Sequence, residues 1–302
     1  MVETRHSEFV EIVFMKIMLF GSEGMLGYYI QDLLQSHEVV AFSHRDVDIT
    51  DFDTVNKLIA SDLPQIVINA TAYNDVENSE TPEGFKEAKL VNGEAVGNLA
   101  KATHKINGIF ISFSTEYVFD GEKNDGYKEN DYTSPINNYG RSKLLGEQLI
   151  QRVTNKFYII RMSRLFGNSG RSIHSKKSFV DLMLDIAKEK NNVLLVNDEI
   201  SSPTYAHDAV KSIENILRKN LPFGIYHITN SGQCSWHEFA VEAFYLYKKI
   251  APKFKIPDIK QVSSDEFKRK AVRPKFSVLL NTKLPPLRNW KLALGDYIKT
   301  KG

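Results

Sequence analysis

The run Lys16-Ile17-Met18-Leu19-Phe20-Gly21-Ser22-Glu23-Gly24-Met25-Leu26-Gly27 decides how this chain is read. Lys16–Phe20 has the short apolar signature of a strand, and the residues after Gly24 through Leu34 are helical in pattern. The three glycines, spaced G-x-x-G-x-x-G, therefore stand at a strand-to-helix turn. There they permit a tight bend, let the backbone approach a pyrophosphate and let the helix pack on the strand. The free N–H groups and dipole of the helix N-terminus favour phosphate at that point. A glycine pattern alone is weak evidence, and a purely structural turn is its bland explanation. Its position at the start of the first βαβ unit favours dinucleotide binding, with Gly21, Gly24, Met25, Leu26 and Gly27 as the expected contacts.

Outward from this run, strands are predicted at Glu38–Phe42, Gln65–Asn69, Gly108–Ser114 and Lys156–Arg161, with helices over Glu83–His104 and Asn138–Arg152. This alternation predicts a parallel sheet covered on both faces, an α/β doubly wound fold of the Rossmann type. After residue 165 the pattern loosens. Helices fit Ser178–Lys190, Ala206–Arg218 and Trp236–Lys249, with strands at Val193–Val196 and Gly224–Ile228, and prolines then punctuate a tail read as irregular. The expected division is an extension over 1–14, a nucleotide-binding domain over 15–165 joined by later segments around 193–230, and a smaller substrate-binding lobe over 166–302.

Bulk properties narrow the function classes. The 302 residues carry 39 basic and 37 acidic side chains, a net charge of +2 that gives no support for a nucleic-acid binder. The single cysteine, Cys234, allows no internal disulfide and suits a reducing, cytoplasmic compartment. The apolar stretch Phe9–Phe20 is broken by Glu11 and Lys16, so no membrane span is expected. His227 and His237 lack partners at ligand spacing, and no catalytic metal is expected.

Where enzymes that use NAD often place an acid after the second strand, this chain has Ser43-His44-Arg45. Arg45 could meet a 2′-phosphate or be a solvated loop charge. The first reading favours NADPH and leaves NADH open, with Asp48 and Ile49 flanking the adenine. Tyr139 and Lys143 share one helix face at i, i+4. An ammonium beside a phenol favours the phenolate, which would bring the tyrosine toward a working pKa for proton transfer. The same spacing recurs at Tyr245/Lys249 and Tyr297/Lys301, both read as helix-surface pairs. Only Tyr139/Lys143 follows a parallel strand ending in Ser114-Thr115, whose hydroxyls could stabilise developing charge on a substrate oxygen.

Taken in order, these stretches resemble the extended short-chain dehydrogenase/reductases, and within them the dTDP-4-dehydrorhamnose reductases. The resemblance runs from Met15 to about Trp290. It rests on Met15–Gly21, Asn69–Ala72, Val91-Asn92, Ser114-Thr115-Glu116-Tyr117-Val118-Phe119-Asp120-Gly121, Tyr139–Lys143 with Gly146-Glu147, Arg161–Ser163, Ser202–Thr204, Ser235–Ala240 and Ala271–Pro274. It implies Thr115, Tyr139 and Lys143 as the catalytic set. Ala70, Thr71 and Ala72 would line the cofactor, and Asn92 would support the lysine through water. Ser114, Tyr117, Phe119, Arg164 and Arg273 would meet the substrate, with Arg273 on its diphosphate. The implied reaction is hydride transfer from NADPH to the C4 keto group of a nucleotide-linked deoxysugar, by an enzyme that often dimerises.

Related 4,6-dehydratases resemble Thr-Asp-Glu at the strand end, whereas this chain has Thr115-Glu116-Tyr117, which argues for simple reduction. Two departures qualify the resemblance. Arg164 stands where the rhamnose-type reductases usually have Trp, which could change the sugar or nucleotide accepted. The basic stretch Gly167–Lys177, with Arg171, His174, Lys176 and Lys177, is either a lid over a diphosphate on the substrate side or a solvated loop. Two other functions stay open: a catalytically silent NADP-binding subunit like the beta subunit of methionine adenosyltransferase, and a nucleotide-sugar epimerase.

Overall fold

The computed structural model describes residues 14–171 and 177–302. The extension over 1–13, and His174 and Lys176 of the basic loop, lie outside the described residues. The first half runs β1 (Lys16–Phe20), α1 (Met25–Leu33), β2 (Glu38–Phe42), α2 (Phe52–Asp62), β3 (Ile66–Asn69), α3 (Pro82–Lys89), a π turn (Leu90–Glu94), α4 (Ala95–Lys105), β4 (Ile109–Thr115), α5 (Asn138–Val153) and β5 (Phe157–Met162). The second half runs β6 (Leu165–Phe166), α6 (Phe179–Glu189), β7 (Asn192–Val196), β8 (Ile200–Ser201), β9 (Thr204–Tyr205), α7 (Ala206–Arg218), β10 (Gly224–His227), β11 (Asn230–Ser231), β12 (Cys234–Ser235), α8 (Trp236–Ile250), β13 (Asp258–Val262), β14 (Leu287–Asn289) and α9 (Trp290–Lys299).

Six strands form one parallel sheet in the order β10-β5-β4-β3-β1-β2. The doubly wound fold read from the sequence is the fold observed. Because successive strand residues point to opposite faces, β1 feeds two cores. Ile17 and Leu19 join one with α1, α6, α7, α8 and α9, while Met18 and Phe20 join the other with α2 and α4. Strand order reverses between β1 and β3, and in such sheets ligands bind outside the carboxyl ends at that crevice. Phe20, Asn69, Thr115 and Met162 end their strands on this edge.

Three elements depart from the expectation. Helix α2 was not anticipated. It starts where the Asp51 carboxylate accepts a hydrogen bond from Thr54 N at 3.1 Å, and it buries a narrow stripe of Val55 and Ile59. The single helix expected over Glu83–His104 is interrupted by the π turn, which holds Asn92 against α5. The tail read as irregular contains α9, capped by Asn289 and burying Trp290, Ala293, Leu294, Tyr297 and Ile298. Tyr297 is thus a core residue rather than a surface one. Its hydroxyl donates to Asp181 Oδ2 at 2.7 Å, while Lys301 reaches Asp181 Oδ1 at 3.0 Å. Tyr245 does lie on the surface, with the Lys249 ammonium over its ring.

Of the later segments, β10 extends the large sheet beside β5, and α7 packs on α1. Strand β7 instead pairs with β13 in a separate two-stranded sheet. Among the described residues, no helix is long and apolar enough to cross a membrane.

Candidate active site

The glycine turn is fixed by backbone contacts. Gly21 N and Ser22 N both donate to Phe42 O, at 2.9 and 3.0 Å, tying the turn to the end of β2. Gly21 has φ +85°, and a Cβ there would lie 2.7 Å from the Ala70 carbonyl carbon. At Gly27 a Cβ would lie 2.2 Å from Gly21 O, so this helix seats on the turn only without a side chain. Gly24 caps α1 with no side-chain hydrogen bond, and no acid occupies the first turn. The first N–H groups of α1, including those of Met25 and Leu26, therefore have no side-chain acceptor from the cap. A close cradle of backbone with an uncapped helix N-terminus fits a pyrophosphate.

Beside the turn, Ser22, Glu23, Ser43, Arg45, Asp46 and Arg171 line a cleft of ≈ 400 Å³. Arg45 is exposed there, so its side chain is available to a ribose phosphate. Asp48 is exposed and accepts from Thr50 N at 2.9 Å, whereas Ile49 is buried in the core behind β1. The expected flank of the adenine is therefore the Asp48 side only, because Ile49 is spent on packing. Ala70 and Thr71 are half-buried and Ala72 exposed at the end of β3, where Asn69 Oδ1 accepts from Thr71 N and Oγ1 and fixes the bend.

Across the same edge, β4 ends in Thr115 and α5 begins with Asn137 accepting from Gly140 N at 2.8 Å. This brings Tyr139 beside Thr115, whose hydroxyl slightly favours the ionised phenol, and sets Tyr139 edge-on to Tyr117 with ring centroids 5.7 Å apart. Thr115 Oγ1 also donates to Glu116 Oε2 at 2.8 Å, and Ser163 Oγ donates to Glu116 Oε1 at 3.1 Å. Burial pushes the Glu116 carboxyl up from its usual range against these bonds. Glu116 was not singled out as a site residue in the sequence. Only its place between Thr115 and Tyr117 could have pointed to it.

The electrostatics of Tyr139 run opposite to the expectation. Burial, and next the Glu116 carboxylate, push its phenol well above the ordinary tyrosine value. Tyr139 is therefore protonated at neutral pH and equipped to donate. Lys143 is almost fully buried. Burial lowers its ammonium to about 8, and the Glu147 carboxylate opposes that shift.

Beneath Lys143 lies a cavity of ≈ 10 Å³ lined by Asn92, Ser112, Ser114, Lys143 and Glu147, at the lower limit for one water. Asn92 accepts from Tyr73 N at 2.9 Å and donates to Tyr73 O and Ser142 Oγ, both at 2.9 Å. Its side chain thus holds the β3 loop to α5.

Several expected substrate residues are placed differently. The Ser114 hydroxyl donates to Glu147 Oε1 at 2.5 Å, turned under Lys143 rather than toward a substrate. Glu147 in turn pairs with Arg161, through Nη2 at 2.6 Å and Nε at 2.9 Å, with both side chains buried. Phe119 is fully buried, stacked on Tyr127 at 4.2 Å, and so belongs to the core. Arg164, at φ +43°, donates to Cys234 O at 2.8 Å and Glu199 O at 2.7 Å, and its guanidinium lies 4.0 Å from the Trp236 ring centroid. It joins three segments at the cleft wall. Trp236, read as core, is only half-buried there and donates to Glu199 Oε2 at 2.9 Å, while Phe239 and Phe244 are fully buried.

Tyr117 and Arg273 lie near each other beside Tyr139. Each contributes to the other's electrostatics, and Arg273 Nη2 reaches Glu77 Oε1 at 3.2 Å while its buried Nε has no acceptor. The basic tail cluster is not simply solvated, since Arg269 pairs with Glu199. Among the described residues no group of three or more His, Cys, Asp or Glu is gathered to hold a metal ion.

Comparison with known proteins adds relatives along nearly the whole chain. A dTDP-4-dehydrorhamnose reductase of Burkholderia thailandensis is 33% identical over 301 residues, covering 94% of this chain and 98% of its own length. A probable dTDP-4,6-dihydroxy-2-methyloxan-3-one 4-ketoreductase of Streptomyces antibioticus is 32% identical, covering 93% and 94%. A crystal structure of dTDP-4-dehydrorhamnose reductase from Bacillus anthracis, in complex with NADP, superposes with a TM-score of 0.87 at 30% identity and covers 95% of this chain and 99% of its own. The family model described as RmlD substrate binding domain matches residues 15–301, and the chain belongs to that family.

Proposed function

We propose that the chain is an NADPH-dependent oxidoreductase that reduces the C4 keto group of a dTDP-linked deoxysugar, as its relatives' names state for them. The observation that carries the reading is that Thr115, Tyr117 and Tyr139 are gathered at the carboxyl end of β4, with buried Lys143 one helical turn on and the glycine turn across the crevice. Gly21–Gly27 and the α1 N-terminus would hold the dinucleotide pyrophosphate, with Arg45 near its ribose, and the bound cofactor would supply the hydride. Tyr139, kept protonated by burial, donates the proton to the substrate oxygen as the neighbouring lysine ammonium favours its phenolate. Thr115 orients that oxygen by a hydrogen bond. The Lys143 ammonium, one helical turn from Tyr139, favours the phenolate as the proton leaves, and it shares a small cavity with Asn92, Ser114 and Glu147, the last paired with Arg161. Arg273, with an unpartnered buried Nε, binds the substrate diphosphate beside Tyr117. Residues 15–165 with β10 and α7 form the nucleotide-binding part, and the remaining segments after 165 form the sugar side. The lone buried Cys234 suits a reducing cytoplasm.

The test is oxidation of NADPH by the purified chain with a 4-keto-6-deoxy dTDP-sugar. Tyr139→Phe should lower kcat by about 10²- to 10⁴-fold while NADPH still binds. Unchanged turnover in that variant would remove the proton-donor role. Cofactor binding with no turnover of any 4-keto sugar would favour the silent subunit, and stoichiometric oxidised cofactor in the purified protein would favour an epimerase.

A further inference from the structure

The basic loop after β6 begins on the cofactor side of the molecule rather than the substrate side. Asn168 N donates to Tyr29 Oη at 3.0 Å, and Gly167 O lies 2.8 Å from Tyr297 Oη, which sets the segment against α1 and α9. Gly170 lies directly on the glycine turn, where an added Cβ would fall 2.0 Å from Glu23 O. The next residue, Arg171, is exposed, with its guanidinium 5.8 Å from the Tyr28 ring centroid, and it lines the same ≈ 400 Å³ cleft as Arg45.

Neither guanidinium has a carboxylate partner within ion-pair distance among the described residues. Of the two acids in the cleft, Asp46 is occupied by Ser43, accepting from its N at 2.8 Å and its Oγ at 2.7 Å. Glu23 and Asp46 together match the two guanidinium charges, but neither carboxylate lies within ion-pair distance of Arg45 or Arg171. Two forked cations at one cleft, beside a turn shaped for a pyrophosphate, suit a phosphate dianion better than a ribose hydroxyl pair.

We propose that Arg171 is the second cationic arm of the subsite for the cofactor's 2′-phosphate, facing Arg45 across the cleft. The inference rests on the cofactor reading above and deepens it. The segment after β6 would then help select the dinucleotide, so the preference for NADPH would be divided between the β2 end and a residue more than a hundred positions later.

The experiment measures dissociation constants of NADPH and NADH, and of 2′,5′-ADP and 5′-AMP as probes, for the wild type, Arg171→Ala and Arg171→Lys. Loss of a charge-assisted phosphate contact should weaken NADPH and 2′,5′-ADP about tenfold in Arg171→Ala while NADH and 5′-AMP change less than about twofold. Arg171→Lys should recover part of the loss. Equal weakening of phosphorylated and unphosphorylated ligands, or no weakening of either, would overturn the role of Arg171 and leave the cofactor reading standing. A wild-type chain that binds neither dinucleotide would overturn the cofactor reading itself.

Discussion

The glycine turn and the Thr115–Tyr139 cleft face the same crevice but are built by different means. The turn is one unbroken run, Phe20 to Gly27, and its function comes from backbone: positive φ at Gly21, no side chain at Gly27, free N–H groups at the start of α1. The cleft draws on β4, the π turn, α5, the loop after β5, β12–α8 and the tail, and its function comes from side chains whose partners are far apart in sequence. Contiguous backbone geometry leaves a signature in spacing. Assembled side-chain geometry leaves residue types whose orientation the chain alone does not reveal.

Glu147→Gln bears on this contrast most heavily. It would leave Arg161 buried without its counter-charge, and a chemical unfolding curve should show a loss of about 3–5 kcal/mol. If the variant were as stable as the wild type, the buried pair beneath Lys143 would not hold the cleft together. Gly27→Ala tests the other region. Its added methyl meets Gly21 O, so α1 must shift off the turn, at a cost of about 1–3 kcal/mol and with NADPH affinity lost together with stability. Retained affinity would mean that the turn tolerates a side chain and is less backbone-determined than argued.

The smallest effect concerns pH. Lys143 is charged below about 8 and neutral above it, so kcat should fall as pH rises through about 8. Its contribution to stability runs the other way. Folding disfavours its charged form, so between about 8 and its ordinary 10.5 the unfolded chain holds more protons and stability rises with pH. A kcat profile flat from pH 7 to 9 would remove the lysine ammonium from the mechanism.

Much of the cofactor half was legible in the sequence. Its strands and glycines follow local periodicity and spacing, and the sheet order is the one that right-handed crossovers allow. Helix α2 was missed because it buries only Val55 and Ile59, and α9 because it follows the prolines that made the tail read as irregular. At the site, Thr115, Tyr117 and Tyr139 are gathered, whereas Ser114 turns to the other face because it alternates with Thr115 along β4, and Phe119 is buried against Tyr127. Glu116, Glu147 and Arg161 stood in quoted stretches without a role, because a buried charge declares itself only through its partner.

By itself, then, the sequence determined the βαβ order, the pyrophosphate turn and the residue types of a proton-transfer site, because each depends on neighbours within a few residues. Only the tertiary structure decided which of those residues meet. It tied Arg164 to the carbonyls of Glu199 and Cys234, set Tyr139 protonated beside Glu116, and brought Arg171 to the glycine turn. Those outcomes depend on burial and on long-range hydrogen bonds, which no local pattern records.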